Sequence, residues 1–192
     1  MYTLYPVKEN EEYSASTFDQ LFVDALMCMF WAEKQQLVLL RRAEKAASTK
    51  YLKASFKGHL LATVNQVNRI SEMFKLIDRK PRSRKCYEME ALTIEIRAVI
   101  KATEKNTLSR DMGLILLAKK IEHLEIKKYN KLINIANDLG NFSLVNLLDE
   151  CLVEEQEAEE TFSAVMEDTQ RDEMFKIDGQ EENAEEEILE AV

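Results

Sequence analysis

Five ionisable side chains sit where the surrounding pattern asks for apolar ones. Glu33 interrupts the stripe Phe18, Phe22, Leu26, Met29, Phe30, Leu37, Leu40, and His59 interrupts Leu52, Phe56, Leu60, Val67, Ile70, Phe74. Glu90 shares a helical face with Cys86 and Ile94. Glu122 and Glu125 stand one turn apart beside the stripe Leu114, Leu117, Ile121, Leu124, Leu132. Carboxylates at that spacing repel, and burial makes the repulsion worse, so the pair needs a shared proton, a lysine or arginine, or a metal ion. One such residue in a core reads as a salt bridge. Four helices each contributing one are what a metal site inside a bundle requires, because a divalent cation of moderate hardness takes carboxylate and imidazole ligands and neutralises them. The dinuclear template for such bundles takes a single Glu from each of two helices and a Glu-x-x-His pair from each of the others. Here Glu33 and Glu90 fit the single role, Glu122-x-x-Glu125 replaces one pair, and His59-x-x-Ala62 lacks the second carboxylate. Three residues are placed to support the ligands. Tyr129 lies one turn beyond Glu125 and within hydrogen-bonding reach of it. Gln66 lies one turn beyond Ala62, and His123 adjoins the pair but projects off its face.

The elements that must carry these residues are helices. Apolar residues recur at three- and four-residue steps throughout, with only 4 Gly and 2 Pro in 192 residues. A capping signal at Ser16 or Thr17 opens a first helix reaching Ala46, and Ser48 or Thr49 caps a second reaching Asp78. The basic loop RKPRSRK (Arg79–Lys85) breaks at Pro81, and a third helix follows over about 84–103. Ser109 is the expected cap of the fourth, with Gly140 supplying its left-handed stop. A fifth helix, starting at 141–143, runs to about Glu167 on the stripe Leu144, Leu147, Leu148, Cys151, Leu152. Short connections make sequence neighbours antiparallel. The expectation is therefore an all-α, antiparallel four-helix bundle over residues 16–167 with an additional C-terminal helix packed across it. An irregular segment precedes it at 1–15, and an acidic, flexible tail follows at 168–192.

Composition narrows the classes. No apolar run follows a basic start and no uncharged apolar stretch reaches 18 residues, so neither signal peptide nor membrane span is expected. Cys28, Cys86 and Cys151 are far apart, without metal spacing, and suit a reducing cytoplasm better than a disulfide framework. The net charge of -9 conceals a split. From Asp149 onward 18 acidic residues face two basic ones, whereas residues 1–148 carry 24 basic and 17 acidic residues. The acidic end reads as solvated. The basic loop lacks the interleaved aromatics of a nucleic-acid site and reads as a solvated turn. Trp31 points off the stripe of its helix and marks a candidate subunit contact.

The segments WAEKQQLVLL (Trp31–Leu40), HLLATVNQV (His59–Val67), CYEMEAL (Cys86–Leu92) and DMGLILLAKKIEHLEIKKYNKL (Asp111–Leu132) resemble the YciE/YciF family. That family consists of stress-associated bacterial proteins of the ferritin-like superfamily. The resemblance spans about Thr17 to Glu160, and EHLEIKKY and AEKQ are its most specific parts. It implies a ferritin-like bundle holding iron or manganese, one or two ions, at Glu33, His59, Glu90, Glu122 and Glu125. It also implies a role in stress response or the handling of O₂ or peroxide, and a homodimer. The chain departs from the family's usual H-x-x-E-T at Ala62 and from its usual Tyr at Phe30. The competing expectation is a metal-free bundle that keeps the fold for self-association or partner binding.

Overall fold

A computed structural model describes the backbone of residues 15–190 and the side chains of residues 19–171. It contains five helices, α1 (Ala15–Ala46), α2 (Lys50–Leu76), α3 (Tyr87–Ala102), α4 (Leu108–Asp138) and α5 (Phe142–Glu190), and no strand among the described residues. The irregular segment expected at 1–15 falls almost wholly outside them.

Local chemistry sets the ends. The Thr49 side chain accepts the Leu52 N–H at 3.2 Å and caps α2. For α4 the cap is Thr107, which accepts the Arg110 N–H, and Ser109 lies inside the first turn. Ser16 and Thr17 are likewise already helical. The Asn141 side chain accepts the Leu144 N–H and starts α5. Gly140, at φ +66°, turns the chain so that the Asn141 N–H reaches the Ala136 carbonyl at 3.0 Å. The end of α2 is built the same way around Asp78 at φ +53°, with the Arg79 N–H on the Phe74 carbonyl at 2.9 Å.

The fifth helix does not stop near Glu167 but continues to Glu190. The expectation of a tail there weighed its charge. Fourteen of the 23 residues from 168 to 190 are nonetheless Glu, Gln, Ala, Met, Leu, Lys or Arg, good helix formers, and the stretch contains no proline.

The bundle proper is made of α1, α2, α4 and α5, and the additional helix is α3 rather than the C-terminal one. Contacts run in opposite directions along each neighbouring pair. Ser48 and Gln36 of the α1 side meet Asp111 and Glu125 of α4 in that order, while Phe56 and Arg69 of α2 meet Phe162 and Glu154 of α5. All neighbours within the bundle are therefore antiparallel. The short α3 carries the chain back along the bundle from the far end of α2 to the start of α4. Its entry is pinned by the Arg84 N–H on the Met27 carbonyl at 3.0 Å, and its length is laid on α4 through Lys120–Glu95 and Lys128–Glu88. Gly113 permits the close approach, since a Cβ there would lie 2.7 Å from Val99 Cγ1.

The apolar core forms two clusters. One, toward the α1–α2 turn, includes Leu39, Leu40, Leu52, Phe56, Met89, Leu114, Ile121 and Phe162. The other, toward the α4–α5 turn, includes Phe22, Leu26, Phe30, Ile70, Phe74, Leu132, Leu144 and Leu148. Trp31, expected on the surface, is half-buried against the first cluster.

Candidate metal centre

A layer of polar side chains lies between these clusters. Glu33 and Gln36 enter it from α1, His59, Thr63 and Gln66 from α2, Glu122 and Glu125 from α4, and Glu155 from α5; all are buried. Each falls on the inward face of its helix because it continues the spacing of the apolar residues above and below it. Single ligand atoms of His59, Glu122, Glu125 and Glu155 come within 4.8 Å of one another. The His59 Nε2 stands 3.1 Å from Glu122 Oε2 and 3.8 Å from Glu155 Oε2.

The flanking groups hold these carboxyls in place. The Gln36 side-chain amide donates to Glu125 Oε2, and that of Gln66 to Glu155 Oε1. Tyr129 donates its phenolic O–H to Glu33 Oε1, not to Glu125 as its spacing suggested. Thr63 donates to the His59 carbonyl at 2.9 Å.

Burial pushes the Glu122 carboxyl up to about 8. Glu33, Glu125 and Glu155 are also held well above the ordinary carboxylate range, first by loss of water and also by one another's negative charge. Burial likewise raises the Tyr129 phenol and keeps the proton on the phenol oxygen, which donates it to Glu33. Among the described residues, no lysine or arginine pairs with any of the four carboxyls.

The layer fits a bound cation. Glu33 Oε2, both oxygens of Glu122, Glu125 Oε1, Glu155 Oε2 and both nitrogens of His59 are buried with no hydrogen-bond partner. A buried polar atom without a partner is costly, and native cores keep few. Here carboxylate oxygens and an imidazole gather at one point, which is a donor set for iron or manganese.

Two expected members lie elsewhere. Glu90 is not in the layer. Its side chain is 36% exposed and pairs with Lys85 at 2.7 Å, because α3 buries Met89, Thr93 and Ile96 instead. His123 is exposed, with its Nδ1 against the Lys119 carbonyl of its own helix. The residue that sequence reading missed is Glu155. Its signal was the continuation of the inward steps Leu144, Leu148, Cys151 through 155 to Ala158 and Phe162. Gln36 was missed as well, one turn beyond Glu33.

Comparison with known proteins agrees with this architecture. Residues 17–174 match the family profile described as a domain of unknown function, DUF892. Protein YciF of Escherichia coli K12 is 37% identical over 141 residues, covering 73% of this chain and 84% of that protein. The crystal structure of the E. coli stress protein YciF superposes with a TM-score of 0.77 at 33% identity, covering 81% of this chain and 98% of that one. YcfI from Rhodopseudomonas palustris gives a TM-score of 0.74 at 26% identity, covering 80% of this chain and 98% of that one. Dps from Thermosynechococcus elongatus gives 0.63 at 12% identity, covering 80% and 94%, a likeness of fold alone. With its profile match over most of the chain and its 37% identity to YciF, this ferritin-like helical bundle belongs to the DUF892 family.

Proposed function

We propose that this chain is a ferritin-like metal-binding protein that takes up iron or manganese and serves in the stress-related handling of O₂ or peroxide in the cytoplasm. The observation that carries the reading is the convergence of unpartnered buried oxygens and nitrogens from α2, α4 and α5, with Glu33 of α1 alongside. His59, Glu122, Glu125 and Glu155 would hold the metal, and Glu33 would complete the set from the fourth helix. An ion bound there supplies Lewis acidity and one-electron redox chemistry toward small oxidants.

The chain's own residues do the rest. Gln36 and Gln66 fix the rotamers of Glu125 and Glu155, so that each presents its other oxygen to the centre. Tyr129 restrains Glu33 and holds a proton beside it. The apolar clusters above and below keep bulk water out of the layer. Association as a homodimer is part of the same proposal and is checked by light scattering on the purified protein. No described helix is long and apolar enough to cross a membrane.

Elemental analysis of protein expressed with iron and manganese supplied, normalised per chain, tests the reading. About two ions per chain make the centre dinuclear and about one makes it mononuclear. None, with a silent Fe(II) titration, overturns the proposal and leaves the metal-free interaction module as the function to pursue.

A further inference from the structure

The polar layer is not sealed on every side. A groove of about 350 Å³ runs between α2 and α5, and His59 lines it. His59 is only 6% exposed; its Nε2 faces the carboxyls of Glu122 and Glu155, and its Nδ1 has no hydrogen-bond partner. Phe162 meets the imidazole edge-on and forms the apolar floor beside it.

Small residues make up much of the groove's wall. Gly58 and Ala62 of α2 flank His59 and face Ala158 of α5. Glycine is among the least favourable residues in a helix interior, so it needs a reason. Packing is not the reason, because a Cβ at Gly58 would meet nothing within 4 Å. Backbone conformation is not the reason either, since Gly140 alone among the described glycines has a positive φ. What Gly58 provides is room. At the rim, Arg69 holds Glu154 with two hydrogen bonds of 2.7 and 2.8 Å. Glu157 remains exposed and without an ion pair among the described residues, a carboxylate at the mouth of a passage that ends on an imidazole.

We propose that the α2–α5 groove is the passage by which a hydrated divalent cation reaches His59, kept open by the missing side chain at Gly58 and the short one at Ala62. The inference rests on the metal-binding reading and names the route into that site. Glu157 attracts the hydrated cation, and His59 offers a ring nitrogen to replace its water as it enters.

The test is a size series at position 58 read by stopped-flow uptake of Co(II) into metal-free protein, followed by the absorbance of the bound ion. The uptake rate is expected to fall in the order Gly, Ala, Leu, with Gly58→Leu at least tenfold below wild type. Final stoichiometry and Kd should stay within twofold, and the metal-free protein should melt higher with Ala than with Gly. Ala62→Leu, one turn along, should slow uptake similarly. Equal rates across the series, or Gly58→Ala as slow as Gly58→Leu, would overturn the passage while leaving the metal site standing.

If wild type takes up no Co(II), the metal reading itself fails. The passage is then judged by diethyl pyrocarbonate modification of His59, with the exposed His123, the chain's other histidine, as internal reference. Relative to His123, Gly58→Leu should slow modification of His59 at least fivefold. Equal modification rates in wild type and Gly58→Leu would show that the groove does not lead to it.

Discussion

Replacing Glu122 by glutamine removes an ionisable group from the centre of the buried layer and changes its shape hardly at all. The Glu122 carboxyl is fully buried, and burial raises it to about 8 from an ordinary 4.5. Between those values the metal-free folded protein keeps a proton that the unfolded chain releases. The stabilisation is therefore complete below pH 4.5 and is lost as the pH rises through 8. By pH 7 the loss amounts to about 3 kcal/mol, at 1.36 kcal/mol for each pH unit above the unfolded value. The amide of the Glu122→Gln variant has no such proton to lose. The chelator-treated variant should therefore melt higher than wild type at pH 7 by roughly 6–12 °C, taking about 2–4 °C per kcal/mol for a chain of this size. At pH 5 the difference should nearly vanish. Mn(II) at a thousandfold excess over its Kd should reverse the order, because it adds about 4 kcal/mol to the form that binds it. The assay is thermal or urea unfolding at pH 5, 6, 7 and 8, with chelator and with Mn(II). A metal-free wild type that gains stability from pH 5 to 8, or a glutamine variant less stable than wild type at pH 7, would refute the argument.

Three further outcomes follow from the frame around the site. The Asp111 carboxylate accepts the Ser48 N–H at 2.8 Å and the Thr49 N–H at 3.3 Å, so Asp111→Ala should cost about 1–3 kcal/mol in urea unfolding and Asp111→Asn less. A Cβ at Gly113 would press on Val99 Cγ1 at 2.7 Å. Gly113→Ala should therefore destabilise by about 1–2 kcal/mol despite its better helix propensity, and a double-mutant cycle with Val99→Ala should show coupling above about 1 kcal/mol. Asp78 occupies a left-handed position at φ +53°, so Asp78→Gly should raise stability by about 0.5–1 kcal/mol, read from the same unfolding curves.

Much of this molecule was legible in its sequence, for identifiable physical reasons. Glu33, His59, Glu122 and Glu125 each break a long apolar stripe, and in helices of 27 to 32 residues the stripe has turns enough to fix which way the break faces. Glu155 breaks a stripe too, but it sits in VEEQEAEE, where acidic residues fill every face and one more on the inner face is no anomaly. Glu90 was misplaced because α3 has only 16 residues. Over so few turns the faces through Cys86–Glu90–Ile94 and Met89–Thr93–Ile96 are nearly as apolar as one another, and only the surface of α4 decides between them. The same shortness hid the role of α3, whose pattern reads as a bundle helix while its position is that of a strap. Tyr129 donates to Glu33 rather than Glu125, because its partner across the bundle depends on the relative height of α1 and α4, which spacing within one helix does not contain.

The two apolar clusters are separated by the polar layer, and each is assembled from all four bundle helices. Leucine-rich surfaces tolerate sliding, since one turn's displacement exchanges one greasy contact for another. The polar layer removes that freedom. Were the α4–α5 hairpin to dock one turn out of step on α1–α2, Glu122 or Glu125 would be driven against Leu or Phe, and Gln36, Gln66 and Tyr129 would lose the carboxyls they hold. The residues that gather at the centre thus act as a notch in the bundle, giving the chain a single height at which its two halves lock.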